Sequence, residues 1–168
     1  VSFIGCSTEK TELPPLISAI NIIPIMLKHR GVRQYFEYYY KAQKALRTET
    51  FNVIIAGDLY SLASAVAAKQ GKQRLIYDCR EIYTNLNAHI NRPMKRFILS
   101  LYEKYYIKFF NAVFVTAETD LQYLMQKYKT YSHLKWDIIY NFPINIALDL
   151  PLDIHQKFNL ALKYKIIC

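Results

Sequence analysis

Leu75-Ile76-Tyr77-Asp78-Cys79-Arg80-Glu81 is the stretch that decides the fold, because an apolar run ends there in a cluster of charged side chains. Three more apolar runs end in the same way, before Gly57-Asp58, before Thr116-Ala117-Glu118 and before Asn141. Helical stretches separate the runs, a pattern typical of parallel strands that are buried on both faces. Open α/β sheets bind ligands beyond the carboxyl ends of their strands. The sequence therefore predicts an α/β ligand-binding domain whose site lies at these polar clusters.

The composition indicates one folded domain. At 168 residues the chain is long enough for one hydrophobic core and short for two. A hydrophobic content of 52% with 21% charged residues disfavours disorder. The sequence has neither the roughly 18 uninterrupted apolar residues of a membrane-spanning helix nor the pattern of a secretory leader. We therefore expect a soluble, cytoplasmic protein, with peripheral attachment at the inner face of the membrane left open.

The charge balance favours an anionic partner. The formal net charge is +9, which suits nucleic acid, an anionic membrane surface or a phosphorylated substrate equally well. Nucleic acid is the weakest of these because the chain has no RNP-like strand and no G-x-x-G loop. The four glycines form no phosphate-binding motif, the four histidines have no partner at metal-ligand spacing, and the three cysteines have no C-x-x-C spacing. We therefore predict no metal site and no bound cofactor.

A helix that is apolar nearly all round begins near Asn91-Arg92-Pro93, where Asn suits an N-cap and Pro suits the first turn. The predicted core stripe is Met94, Phe97, Ile98, Leu101, Tyr105 and Phe109. The opposite face combines Leu99, Tyr102, Tyr106 and Phe110 with Arg92, Lys95 and Arg96. This second face is interpreted either as buried between two neighbouring elements or as docking on an anionic membrane surface through Arg92, Lys95, Arg96, Tyr102 and Tyr106.

The polar clusters also carry a family resemblance. Asp78-Cys79-Arg80-Glu81, followed by Tyr83, resembles the D-x-H-E segment of GT-B glycosyltransferases, enzymes whose two Rossmann-like halves face each other across a cleft. Residues 52–70, 112–124 and 138–143 resemble three further segments of the group 1, family 4-like enzymes, in the same order along the chain. Arg80, Ala117 and Phe142 depart from the His, Ser and Gly that are common in the family.

The resemblance implies the fold, the domains and the activity. It implies a Rossmann-like parallel sheet with helices on both faces, in which residues 1–142 form the acceptor-side domain without its first strand. Residues 143–152 would be a linker and residues 153–168 the start of a second domain, so the chain is expected to be incomplete at both ends. The whole enzyme would transfer a sugar from a nucleotide sugar to a polysaccharide or lipid-linked acceptor. Because the missing C-terminal domain would bind the nucleotide sugar, the isolated chain is predicted to be inactive.

Six residues are predicted to form the site. Asp78 is the catalytic candidate, and the acceptor-binding candidates are Asp58, Arg80, Glu81, Glu118 and Asn141. In the retaining group that the chain resembles, the leaving phosphate assists the acceptor hydroxyl and no protein base is required. If the enzyme inverts instead, Asp78 or Asp58 is the predicted general base.

Each site residue also has a structural interpretation that stays open at this point. Glu118 and Asp58 suit helix caps, and Arg80 suits an ion pair with a neighbouring carboxylate. Cys79 is predicted to pack in the core rather than act as a nucleophile. The alternative function for the whole chain is a non-catalytic basic module that binds an anionic membrane surface or polymer.

Overall fold

The computed structural model describes residues 2–7, 21–48, 50–86 and 91–140. Within these ranges the chain forms six strands and four α-helices: β1 (Ser2–Ser7), β2 (Asn21–Met26), α1 (Val32–Leu46), β3 (Val53–Ala56), α2 (Leu62–Ala68), β4 (Arg74–Cys79), α3 (Pro93–Ile107), β5 (Ala112–Val115), α4 (Glu118–Lys127) and β6 (Lys135–Ile138). Two short 3-10 helices, Leu59–Ser61 and Tyr83–Asn85, follow β3 and β4. The predicted linker, the predicted second-domain segment and Asn141 lie outside the described residues.

The main sheet is parallel and has the strand order β3-β4-β5-β6. Its register pairs Ala56 with Tyr77, Cys79 with Val115, and Val115 with Ile138. A second parallel pair, β1-β2, packs against α1, which also packs against α2. The predicted fold class is confirmed: the protein is α/β, with a Rossmann-like parallel sheet flanked by helices. The prediction that the four strands lie side by side is confirmed as well.

The core lies between the main sheet and its helices. Alternate strand residues, including Ile54, Leu75, Tyr77 and Val113, are buried there with Leu62 of α2. The alanines of α2 leave room for a close approach to β3 and β4: Ala63, Ala65 and Ala68. The predicted burial of both faces is wrong for the two edge strands, β3 and β6, in which exposed residues alternate with more buried ones. In β3, Val53 and Ile55 are exposed, and the helices cover the face that carries Ile54 and Ala56.

The two faces of α3 are reversed relative to the prediction. The predicted core stripe is exposed: Met94, Phe97, Ile98, Leu101, Tyr105 and Phe109. Leu99 and Ile107 are buried instead, and Tyr102 and Tyr106 pack against the core. The Tyr102 hydroxyl accepts a hydrogen bond from the Ala63 backbone N–H at 3.2 Å. Of the two interpretations of this second face, burial between neighbouring elements is therefore the one that the structure bears out at Tyr102 and Tyr106. Among the described residues, no helix has the length and apolar character that crossing a bilayer requires.

Candidate functional site

The carboxyl ends of the four parallel strands share one edge of the main sheet. Asp58 follows β3, Asp78 lies at the end of β4, and Thr116 directly follows β5. The Thr116 hydroxyl lies 3.5 Å from the Arg80 carbonyl oxygen and donates to it, which joins the end of β5 to the turn after β4. We call this edge the carboxyl rim and define it by Asp58, Asp78, Arg80, Glu81, Thr116 and Glu118. The rim contains every predicted site residue except Asn141, which lies outside the described residues.

Asp78 and Arg80 form an ion pair at the centre of the rim. The Arg80 Nε donates to Asp78 Oδ2 at 2.9 Å. The Asp78 side chain is 19% exposed, whereas that of Arg80 is 71% exposed. An ion pair this open to solvent contributes little to stability. Its effect is to orient a carboxylate and a guanidinium side by side, with most of the guanidinium accessible to a ligand.

Asp58 caps the turn that leads from β3 into α2. Its Oδ1 accepts from the Ser61 backbone N–H at 2.8 Å, and the Ser61 hydroxyl donates to the Asp58 carbonyl oxygen at 2.7 Å. The Asp58 backbone N–H in turn donates to Ser61 Oγ at 3.2 Å, which completes a capping box. Asp58 therefore forms the cap that its structural interpretation predicted, and its Oδ1 is engaged in that cap.

Glu118 is the first residue of α4 and ties that helix to the end of β6. Its Oε1 accepts from the Tyr140 hydroxyl at 2.6 Å, and this bond raises the pKa of Tyr140. A carboxylate in the first turn is also favoured by the helix dipole. Glu118 is therefore not the helix cap that its structural interpretation predicted, because Ala117 holds the N-cap position of α4 and no described side chain caps it. The Glu118 carboxylate lies in the first turn instead and connects two neighbouring strand ends.

A cluster of three tyrosines lies beside the acidic side of the rim, and the sequence analysis missed it as a unit. The rings of Tyr35 and Tyr60 stack with their centroids 4.7 Å apart, and Tyr83 meets Tyr60 edge to face at 5.3 Å. Burial is the main cause that raises the pKa of Tyr60 and Tyr83 to about 12, and the negative charge of Asp58 adds to it. Both phenols therefore stay protonated near neutral pH. The sequence feature that could have indicated the cluster is the position of Tyr60 and Tyr83, because each follows one of two adjacent strands within a few residues.

A second polar group, which includes His29, lies after β2. Glu37 of α1 accepts hydrogen bonds from the backbone N–H of Lys28 and of His29. It also contacts His29 Nδ1 at 2.9 Å and Lys41 Nζ at 2.5 Å. The Lys41 ammonium is the largest of the contributions that hold the Glu37 pKa well below its usual range. The ionised carboxylate favours the tautomer in which Nδ1 of His29 carries the proton.

Other chemistry is limited in the described part of the chain. Cys79 is buried and burial raises its pKa to about 12, so the prediction of core packing is confirmed. No group of three metal-ligating side chains occurs among the described residues. A pocket of about 470 Å³ is lined by Phe51, Asn52 and Arg74 at the amino ends of β3 and β4. It lies at the opposite end of the strands from the carboxyl rim, so it does not mark the candidate site.

Comparison of the chain with protein-family models, curated proteins and solved structures finds no match. The chemistry of the groups at the carboxyl rim therefore indicates which ligands this edge could bind. The carboxylates of Asp58 and Glu81 lie beside the aromatic rings, and the accessible guanidinium of Arg80 lies on the same edge of the sheet, where open α/β sheets bind ligands. Such a surface suits a ligand that offers many hydroxyl groups and some apolar surface.

Proposed function

We propose that this chain is the acceptor-binding half of a GT-B glycosyltransferase, which transfers a sugar from a nucleotide sugar to a polysaccharide or glycolipid acceptor. The observation that carries the proposal is the position of the tyrosine cluster beside the acidic residues of the carboxyl rim. The α/β fold and the resemblance of the strand-end segments to this family agree with it. The carboxyl rim is then the acceptor site.

The chemistry of a sugar matches this surface. Each sugar hydroxyl both donates and accepts hydrogen bonds, so a carboxylate and a guanidinium side by side can hold two hydroxyls of one ring. Asp78 and Arg80 form such a pair. The C–H face of a sugar ring packs on aromatic rings, and Tyr35 is the most exposed member of the cluster, with 43% of its surface accessible.

The mechanism assigns Asp78 a role in either stereochemical course. In a retaining enzyme of this family the leaving phosphate assists the acceptor hydroxyl, so Asp78 would accept a hydrogen bond from that hydroxyl and position it. In an inverting enzyme a protein carboxylate must take the proton. Asp78 and Asp58 are both candidates for that role, because within the described residues each has only one carboxylate oxygen engaged. Oδ2 of Asp78 accepts from Arg80 Nε, and Oδ1 of Asp58 accepts from the Ser61 backbone N–H.

The proposal is tested by ligand binding to the 168-residue chain. We expect a glycan array to detect weak oligosaccharide binding that Tyr60→Ala and Asp78→Asn each abolish. Tyr40→Ala is the matched control, because Tyr40 lies on α1 with Tyr35 and is 65% exposed. Equal loss in all three variants, or no glycan retained by the native chain, would count against an acceptor site at the rim.

Calorimetry with UDP and GDP sugars provides a second test. Because the donor site is assigned to a domain outside this chain, we expect no tight binding of either nucleotide sugar. A dissociation constant in the micromolar range would mean that the donor site lies on this chain. A non-catalytic basic module, the alternative function, would bind neither glycan nor nucleotide sugar and would still bind an anionic surface.

A further inference from the structure

The outward side of α3 exposes six large apolar side chains in a continuous stripe. They recur at helical spacing and are between 41% and 75% exposed: Met94, Phe97, Ile98, Leu101, Tyr105 and, just past the helix end, Phe109. We call this set the outer face of α3. Residues spaced three and four apart lie on one side of a helix, so the six side chains form one surface. Contiguous exposed apolar surfaces of this kind mark interaction sites.

The inner side of α3 is already fixed, so the outer face is available without rearrangement. Tyr102 contacts α2 through the Ala63 backbone, and Glu103 is buried against α4, where Lys127 Nζ lies 2.8 Å from its Oε2. Arg96 Nε donates to the Thr84 carbonyl oxygen at 2.8 Å, which ties the first turn of α3 to the segment after β4. The helix therefore presents the outer face as a rigid surface.

The charges around the outer face are positive. Lys104 and Lys108 are one turn apart and border the apolar stripe. The Lys108 ammonium lies 4.4 Å from the centroid of the Tyr105 ring, so it is held beside the stripe. Glu103 is the single acidic residue of α3, and it is buried on the inner side. A partner of this face must therefore combine an apolar interior with negative charge at its boundary.

From these observations we infer that the outer face of α3 docks on an anionic phospholipid surface. The apolar side chains would enter the boundary between headgroups and acyl chains, while Lys104 and Lys108 would meet the anionic headgroups. A second copy of the chain fits less well. A two-fold contact would place the same lysines of both copies close together, in a chain whose formal net charge is +9. This inference goes beyond the proposed function, because docking does not require sugar binding.

The test is cosedimentation of the 168-residue chain with phosphatidylcholine vesicles that contain or lack phosphatidylglycerol, at low and high salt. We expect binding only to the anionic vesicles, and weaker binding at high salt. Each lysine near the surface contributes about fivefold in affinity, so Lys104→Gln combined with Lys108→Gln should weaken binding about 30-fold. Ile98→Ser should weaken it at least about fivefold, because an interfacial apolar contact is lost.

Ile55→Ser is the matched control. Ile55 is 60% exposed and Ile98 is 57% exposed, but Ile55 lies on β3, on the sheet face that the helices leave open. Loss of vesicle binding in Ile98→Ser with retention in Ile55→Ser supports the inference. Equal binding by both variants, or equal binding to neutral and anionic vesicles, overturns it. A dimer in analytical ultracentrifugation that Ile98→Ser dissociates would overturn it too, because the face would then be occupied by a second copy.

Discussion

Replacement of Lys127 by Met tests the buried polar group that holds α3 and α4 against β4. Glu103 is 2% exposed and accepts three hydrogen bonds. The donors are Lys127 Nζ at 2.8 Å, the Tyr128 hydroxyl at 2.5 Å and the Tyr77 hydroxyl at 3.3 Å. Burial raises the pKa of both tyrosines, so both remain protonated donors. The Lys127→Met variant would keep these two donors and lose the cation.

The expected loss of folding stability in Lys127→Met follows from the burial of the Glu103 carboxylate, which remains without its cation. Removal of one partner from a buried ion pair costs roughly 3 to 5 kcal/mol, because a charge is left without compensation. The two phenols still solvate Glu103, so we expect the lower end of that range, about 3 kcal/mol. Against a typical free energy of unfolding of about 5 to 15 kcal/mol, this is a large fraction. Lys129→Met is the control, since Lys129 is exposed just beyond α4 and should change stability by less than about 0.5 kcal/mol.

The assay is urea unfolding followed by circular dichroism. A Glu103→Gln change in the Lys127→Met background should recover part of the loss, because an amide carries no charge that needs a partner. The pair should therefore show a coupling energy of roughly 1 to 3 kcal/mol in a double-mutant cycle. Equal losses of stability in Lys127→Met and Lys129→Met, or additive effects of the changes at Glu103 and Lys127, would refute a buried ion pair between these two residues.

Three further outcomes are expected. Glu37→Gln should destabilise the protein at neutral pH, and its difference from wild type should shrink as the pH falls below 4.5, the usual pKa of the carboxyl. The reason is that the pKa of Glu37 is depressed in the folded state, so protonation of the carboxyl in acid removes the stability that it contributes. A difference in melting temperature that does not change with pH would refute this. Asp58→Ala should lower the free energy of unfolding by about 1 kcal/mol through loss of the capping box, with Asp58→Asn losing less in the same urea assay. The Cys79 thiol should react with iodoacetamide at pH 8 only after unfolding, since it is buried with a pKa of about 12; rapid alkylation of Cys79 itself in the native protein, located by peptide mapping, would contradict its placement.

The strands were largely predictable because each apolar run of the main sheet ends in polar residues. The sequence placed β3, β4 and β5 correctly, since buried parallel strands require short apolar runs. The last strand was predicted less accurately: its apolar run was expected to end directly before Asn141, whereas β6 runs from Lys135 to Ile138. β6 is the edge strand of the described sheet, and its half-buried residues Trp136 and Ile138 alternate with exposed ones. Such alternation gives a weaker signal than a continuous apolar run.

The orientation of α3 could not be predicted from its sequence. The helix has apolar residues on both sides, so the 3.6-residue period predicts a helix without saying which side is buried. The fold decides this through Glu103, which is buried with Lys127 and Tyr128, residues about 25 positions later in the chain. A lone glutamate in an apolar helix normally indicates the exposed side. In this protein the glutamate lies on the buried side instead, because Lys127 of α4 pairs with Glu103 and makes its burial favourable.

Because of the tyrosine cluster, substitutions at different rim residues are not equally informative about glycan binding at the proposed acceptor site. Tyr60 lies within the 3-10 helix that Asp58 caps, so a substitution at Asp58 also disturbs the ring that stacks on Tyr35. Loss of glycan binding in an Asp58 variant would therefore not separate a ligand contact from a displaced ring. A substitution at Asp78 is easier to interpret, because the Asp78 side chain accepts a hydrogen bond from Arg80 and an asparagine at this position can still accept it. If Asp78→Asn keeps wild-type stability and loses glycan binding, the effect belongs to the carboxylate charge at the ligand rather than to the fold beneath it.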